Sequence, residues 1–303
     1  MRAIVYTQYG DADVLRLEEI SKSEPGPGQV RIAVRVVGVN PIDWKVRSGA
    51  MAQGAALEGT NIPGVEAAGV VDAVGEGARF AVGDEVFGWT EGGAYTEYAL
   101  ASSGSIVSKP ASVSWREAAA LPVAGETALR ALRLLEVGNG DVLLIHGASG
   151  AVGRVATQLA LALGATVIGV GGRRAQDDLK SLGAIPVLYG DGWADRVREA
   201  APEPVGKVLD AAGYGVLPES VELVGDKARV VTIADAAAFE LGVTFTTGVG
   251  VEERLTALEE IVALAADGRV HVVLGKDYSL ADAADAQRES ATGHSGGKIT
   301  LSI

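Results

Sequence analysis

An α/β protein with an irregular β barrel and a doubly wound parallel sheet is the architecture this sequence predicts. Three observations predict it. Short β signals broken by Gly and Pro fill the first 110 residues. From Asp141 onward, apolar strand runs alternate with helical stretches. A glycine string at 147–153 stands where one such strand passes into a helix.

The barrel signals come first. Val30–Val37, Gly69–Val74 and Asp84–Phe87 read as short strands, punctuated by Pro25-Gly26-Pro27-Gly28, Pro63-Gly64 and Gly92-Gly93. Strands of this length and spacing predict a small, irregular barrel. After Pro110 the character changes, and Ser114–Ala120 and Thr127–Leu135 read as two helices. Val142-Leu143-Leu144-Ile145 is a continuous apolar run, as in a parallel strand buried on both faces. Val152, Val155, Ala156, Leu159, Ala160 and Leu163 then share one helical face, and Thr166–Val170 is the next strand. Pro186–Leu188, Val208–Asp210, Arg229–Ile233 and Val243–Thr246 continue the series, with helices expected at 174–182, 193–200 and 216–224. Six strands alternating with helices describe a Rossmann-type sheet. Beyond it, Leu255, Leu258, Ile261, Val262 and Ala265 mark an amphipathic helix. A strand at Val270–Leu274, a helix at Ala281–Ser290 and a closing strand at Lys298–Ile303 follow.

Composition narrows the function. The 303 residues fit two domains at about 150 residues each. A hydrophobic share of 48% and a charged share of 21% describe a globular chain with a large core. The net charge of −13 repels phosphate backbones and anionic lipid, so neither nucleic acid nor membrane is an expected partner. The absence of cysteine excludes disulfides, thiolate zinc sites and cysteine nucleophiles together. The N-terminal residues carry no secretory pattern, and a cytoplasmic location is expected. The uncharged run at 155–172 approaches the length of a membrane span, but Gly164 interrupts it, and a helix–turn–strand explains it better.

The glycine string reads Gly147-Ala148-Ser149-Gly150-Ala151-Val152-Gly153. At a strand-to-helix junction such glycines allow a sharp turn, close approach to a pyrophosphate and tight helix–strand packing. The N–H groups of Ser149, Gly150, Ala151 and Val152 would then face the phosphates. A glycine-rich turn without a ligand is the competing reading, and the βαβ context weighs against it. At the end of the second strand stand Gly171-Gly172-Arg173-Arg174, and the first acid after them is Asp177. Two guanidiniums in place of a ribose-binding carboxylate suit a 2′-phosphate, which predicts NADPH. Two solvated arginines at a helix start are the alternative.

Several segments together carry a family resemblance. They are VGVNPIDWKVRSG (37–49), PGVEAAGVVDAVGEG (63–77), GDEVFG (83–88), GAYTEY (93–98), LPVAGETALRAL (121–132), HGASGAVG (146–153) and GKITL (297–301). With these segments, the whole chain resembles the zinc-independent quinone oxidoreductase branch of the medium-chain dehydrogenases/reductases. The resemblance implies a GroES-like catalytic domain formed by 1–112 and 252–303, and a Rossmann NADP-binding domain at 113–251. It implies a substrate between the two domains, and a homodimer joined through the last Rossmann strand, Val243–Thr246.

Zinc-dependent relatives carry Cys where this chain has Asn40 and His where it has Val65, so no metal is expected. His146, His271 and His294 show no zinc spacing, and His146 is read as structural. Quinone oxidoreductases usually place a tyrosine where this chain has Lys45. Asn40-Pro41-Ile42-Asp43-Trp44-Lys45 is closer to enone and alkenal reductases and to stand-alone enoyl reductases. By that resemblance Lys45, with Asn40 and Trp44, forms the catalytic group. Asn40, Lys45 and Thr127 match positions at the nicotinamide half of the cofactor. Tyr189 matches a tyrosine near the adenosine. A surface charge beside a packed tryptophan is the other reading of Lys45. The expected chemistry is NADPH-dependent hydride transfer to an α,β-unsaturated ketone or related enoyl substrate. Quinone reduction and a non-catalytic NADPH-binding sensor or structural protein are the rivals.

Overall fold

The computed structural model describes residues 1–52, 54–248 and 250–303. In chain order it begins with β1 (Arg2–Val5), β2 (Arg16–Glu19), β3 (Gln29–Gly38), α1 (Pro41–Arg47), β4 (Glu66–Val74), β5 (Glu85–Trp89), β6 (Tyr98–Ser102) and β7 (Ile106–Ser108). The long helix α2 (Trp115–Leu134) leads into β8 (Val142–His146), α3 (Ala151–Ala162), β9 (Thr166–Gly171), α4 (Gln176–Ser181), β10 (Ile185–Leu188) and α5 (Trp193–Ala200). β11 (Lys207–Asp210), α6 (Leu217–Val224), β12 (Val230–Thr232), α7 (Ala238–Leu241) and β13 (Thr244–Phe245) complete the alternating region. The chain ends with α8 (Val251–Ala266), β14 (Leu274–Ser279), α9 (Ala283–Ala291) and β15 (Lys298–Ser302).

The chain forms two compact units. The first comprises Met1–Val123, Gly250–Gly268 and Val272–Ile303. Its main sheet runs β14-β15-β3-β4-β5-β7, with β6 also paired to β3. Register shifts between Arg31 and Ile32 and between Val34 and Val36 bulge β3 against β4, a device that curls a sheet. At this bend a Cβ on Gly69 would lie 2.2 Å from the Ala33 carbonyl oxygen, so only glycine fits. Ile4, Val30, Ile32, Val37, Tyr95, Ile106, Ile299 and Leu301 fill the core. This is the irregular β domain that the sequence predicts.

The second unit comprises 124–249 and Arg269–His271. Its six-stranded sheet has the order β10-β9-β8-β11-β12-β13, with every neighbouring pair parallel. This is the doubly wound Rossmann topology, whose ligands bind beyond the carboxyl ends of the strands. Val142, Leu144, Ile168, Val170, Val208 and Val230 pack its strands, with Trp193 and Val197 from α5. The uncharged run at 155–172 divides into α3 and β9 around Gly164, whose φ of 84° is left-handed. Among the described residues no helix is long and apolar enough to cross a membrane.

Two sequence expectations are corrected. The helices expected at Ser114–Ala120 and Thr127–Leu135 are one helix, α2, which continues through Pro122. The N–H of Val123 donates to Glu66 Oε2 at 2.8 Å, so a buried carboxylate serves the backbone beside the proline. The strand expected at Val270–Leu274 begins only at Leu274. Val270 and Val272 are buried, which explains the apolar signal. The backbone between them pairs with a side chain instead: Gln158 accepts from the His271 N–H and donates to the His271 carbonyl, both at 2.9 Å.

Candidate active site

The glycine string shapes the candidate cradle, a tight turn from strand to helix in the second unit. β8 ends at His146, and Gly147 turns the chain with a φ of 71°. Gly150 caps α3 without a side-chain hydrogen bond, and no acid stands in the first helical turn. The first N–H groups of such a helix lack intrahelical partners and suit an anion. A Cβ on Gly153 would lie 2.2 Å from the Gly147 carbonyl oxygen. Only glycine therefore lets α3 close against the turn and bring Ser149, Gly150, Ala151 and Val152 together at the strand end.

Beside the cradle, β9 ends at Gly171. Arg173 and Arg174 follow in a tight turn, both exposed, and neither has a hydrogen-bond or ion-pair partner among the described residues. Gln176 closes the turn by donating to the carbonyls of Gly171 and Gly172, at 3.1 Å each. Tyr189 joins this corner: its N–H donates to Gly171 O at 3.2 Å, and its ring edge lies 3.4 Å from a Cβ placed on Gly172. The residue is 65% exposed. Thr127, on α2, is half-buried, with its hydroxyl 3.4 Å from both Glu126 and Arg130. His146 is buried and held near 4 by desolvation, so it is neutral. Its Nε2 lies 3.2 Å from Ser220 Oγ and its ring meets Trp193 edge-on at 4.4 Å, which is a packing role.

A second group of polar residues lies in the first unit. Pro41 opens α1, and the Asn40 N–H donates to Asp43 Oδ2 at 2.9 Å, which caps the helix. Burial pushes the Asp43 carboxyl up to about 7, against hydrogen bonds from Asn40 and Tyr95 that favour its charged form. Asn40 is only 3% exposed. Its Nδ2 donates to Glu66 Oε1 at 2.7 Å, and its Oδ1 accepts from the Lys298 ammonium. Lys298 and Glu66 are themselves paired at 2.6 Å, almost wholly out of solvent. A Cβ on Gly38 would sit 2.3 Å from Glu66 Oε1, so the glycine that ends β3 makes room for this pair. Trp44 and Lys45 follow on α1, both half-buried. The Trp44 Nε1 is buried without a hydrogen-bond partner among the described residues. The Lys45 ammonium has no acidic partner among them and lies 5.7 Å from the Trp44 ring centre.

The arrangement thus separates two kinds of candidate. Among the described residues Lys45, Arg173 and Arg174 have no acidic partner, whereas Asn40 is already engaged. Sequence reading missed Lys298 within GKITL, because nothing local marks a lysine in a strand as buried. It also missed Arg154, which donates to the Ser149 carbonyl at 2.8 Å and pairs with Asp178 at 3.0 Å.

The Lys298–Glu66 pair carries a stability prediction. Lys298→Met leaves a buried carboxylate without its cation, and breaking such a pair costs about 3–5 kcal/mol. Denaturant titration is expected to show that loss, and Lys298→Met with Glu66→Gln is expected to recover most of it. Equal stability of parent and Lys298→Met would refute the pair's role.

Comparison with known proteins places the whole chain. Residues 26–111 match the alcohol dehydrogenase GroES-like domain, and residues 182–301 match a family described as zinc-binding dehydrogenase. A chloroplastic quinone oxidoreductase of Triphysaria versicolor is 32% identical, over 99% of this chain and 98% of its own. The quinone oxidoreductase of Rattus norvegicus is 30% identical, over 99% of this chain and 96% of its own. The chain belongs to the quinone oxidoreductase branch of the medium-chain dehydrogenases/reductases. The fold of this family member follows: Escherichia coli quinone oxidoreductase, solved in complex with NADPH, superposes with a TM-score of 0.88, 25% identity and full coverage of both chains. This quinone oxidoreductase homologue has no cysteine, and among its described residues no three His, Cys, Asp or Glu side chains gather as metal ligands. Beside Asn40, where zinc-dependent members carry cysteine, stands the Lys298 ammonium.

Proposed function

We propose that this chain is an NADPH-dependent reductase of activated carbon–carbon double bonds, taking an α,β-unsaturated ketone or related enoyl substrate. The observation that carries this reading is Lys45, a half-buried ammonium on α1 with no acidic partner among the described residues. NADPH supplies the hydride when bound. The fit of this cofactor rests on the cradle, whose close packing of helix on turn a Cβ at Gly153 would prevent, and on Arg173 and Arg174, unpaired among the described residues. Its presence in the E. coli relative supports it.

In this reading the N–H groups from Ser149 to Val152 bind the pyrophosphate. Arg173 and Arg174 hold the 2′-phosphate, Gly171 admits the ribose, and Tyr189 offers its exposed face to the adenine. Thr127 orients the nicotinamide half, and the Asn40 amide is held by Glu66 and Lys298. Reduction at the β-carbon of an enone builds negative charge on the carbonyl oxygen. Lys45 donates to that oxygen as the charge grows, and Trp44 forms an apolar wall beside it. A proton reaching the α-carbon completes the reaction.

NADPH consumption against a panel of enones and quinones, with product analysis, tests the proposal. Saturated ketone products are expected. Turnover of quinones alone would move the assignment to quinone reduction, a second reading favoured by the names of the relatives at 30–32% identity. Binding of NADPH without oxidation by any acceptor would favour a non-catalytic sensor.

The same reading includes a homodimer. β13 is the outer strand of the parallel sheet, and Phe239 and Leu241 are exposed just before it. An open edge beside apolar side chains favours pairing with a second copy. Light scattering at micromolar concentration is expected to return twice the 30.9 kDa chain mass, and the single-chain mass would refute the dimer.

A further inference from the structure

We propose that Arg154 sets the preference of this chain for NADPH over NADH, by neutralising Asp178 beside the arginine corner. The inference rests on the cofactor reading above and assigns a residue outside it. The segment Arg173-Arg174-Ala175-Gln176-Asp177-Asp178 holds two cations and two anions within one turn and the start of α4. Taken alone, its formal charges cancel, and each carboxylate near the corner would weaken the pull of the guanidiniums on a dianionic phosphate.

Arg154 breaks this balance. It lies in the first part of α3, one residue after Gly153. Its Nε donates to the Ser149 carbonyl at 2.8 Å, so the guanidinium is anchored to the cradle itself. Its Nη2 then pairs with Asp178 Oδ2 at 3.0 Å. The arginine side chain is 6% exposed and the aspartate 57%, so a fixed, buried cation holds a solvent-facing carboxylate. With Asp178 paired, the corner that carries Arg173 and Arg174 is left net positive. Asp177 remains exposed without an ion-pair partner among the described residues, so the segment keeps two unpaired cations against one unpaired anion there. The residue that chooses the cofactor is therefore distant in sequence from the two that touch the phosphate.

Fluorescence titration of NADPH and NADH on the full chain tests this. Arg154→Met keeps the bulk and helix propensity of the side chain but frees Asp178. The NADPH dissociation constant is expected to rise roughly tenfold while that for NADH changes less than about twofold. Arg154→Met with Asp178→Asn is expected to restore the preference, since no carboxylate is then left to neutralise. If Arg154→Met weakens both cofactors equally, Arg154 only shapes the cradle and the inference falls. Failure of the double variant to recover the preference overturns it as well. Equal affinity of the parent for the two cofactors is a separate outcome. It removes the Arg173–Arg174 reading, and this inference with it.

Discussion

Lys45→Met is expected to lower kcat for an enone about a hundredfold, with NADPH affinity little changed, because one preorganised charge donor is lost from the transition state. The ammonium is the charged donor in the Asn40–Lys45 segment able to meet developing charge. Asp43 is acidic and already accepts from Asn40 and Tyr95, and the Asn40 amide is held by Glu66 and Lys298. Methionine has nearly the helix propensity of lysine and can pack against Trp44, so α1 should remain intact. Rapid-reaction measurement of NADPH oxidation at saturating cofactor reads the chemical step directly. A variant that binds NADPH poorly but turns over normally at saturation would make Lys45 a ribose ligand. An unchanged kcat would remove it from the mechanism.

Arg173→Ala with Arg174→Ala is expected to weaken NADPH about a hundredfold, since each charge-assisted hydrogen bond to the phosphate contributes about 1.5 kcal/mol at an exposed site. NADH lacks the 2′-phosphate, so its affinity should stay nearly the same. Both arginines are exposed, so salt should erode the parent's preference and leave the variant's affinities flat. Titrations at low and high ionic strength check both points. A parent that binds the two cofactors equally would refute the assignment without touching that of Lys45.

The fold was legible because its signals are local. An apolar run of strand length, a helical face and a glycine spacing each report on neighbouring residues, and β8, α3 and β9 lie where those signals put them. Where a local signal misled, a distant partner had intervened. Glu66 serves the backbone beside Pro122, so α2 runs on where two helices were expected. Gln158 takes the hydrogen bonds of residue 271, so an apolar segment there is buried without being a strand.

The candidate site divides in the same way. The amino-acid sequence by itself determined the cradle, because Gly147 needs a left-handed φ and Gly153 needs the absence of a Cβ. It also determined the cationic corner, because Arg173 and Arg174 are adjacent in the chain. Only the tertiary structure decided which charges remain available. Lys298 reaches Asn40 from 258 positions away, and Arg154 meets Asp178 across 24. The physical reason is that a side chain's charge acts through whatever stands within a few ångströms of it, and that neighbourhood is set by packing. Lys45 and Lys298 are the same residue type, yet one is sealed against Glu66 and the other has no acidic partner among the described residues.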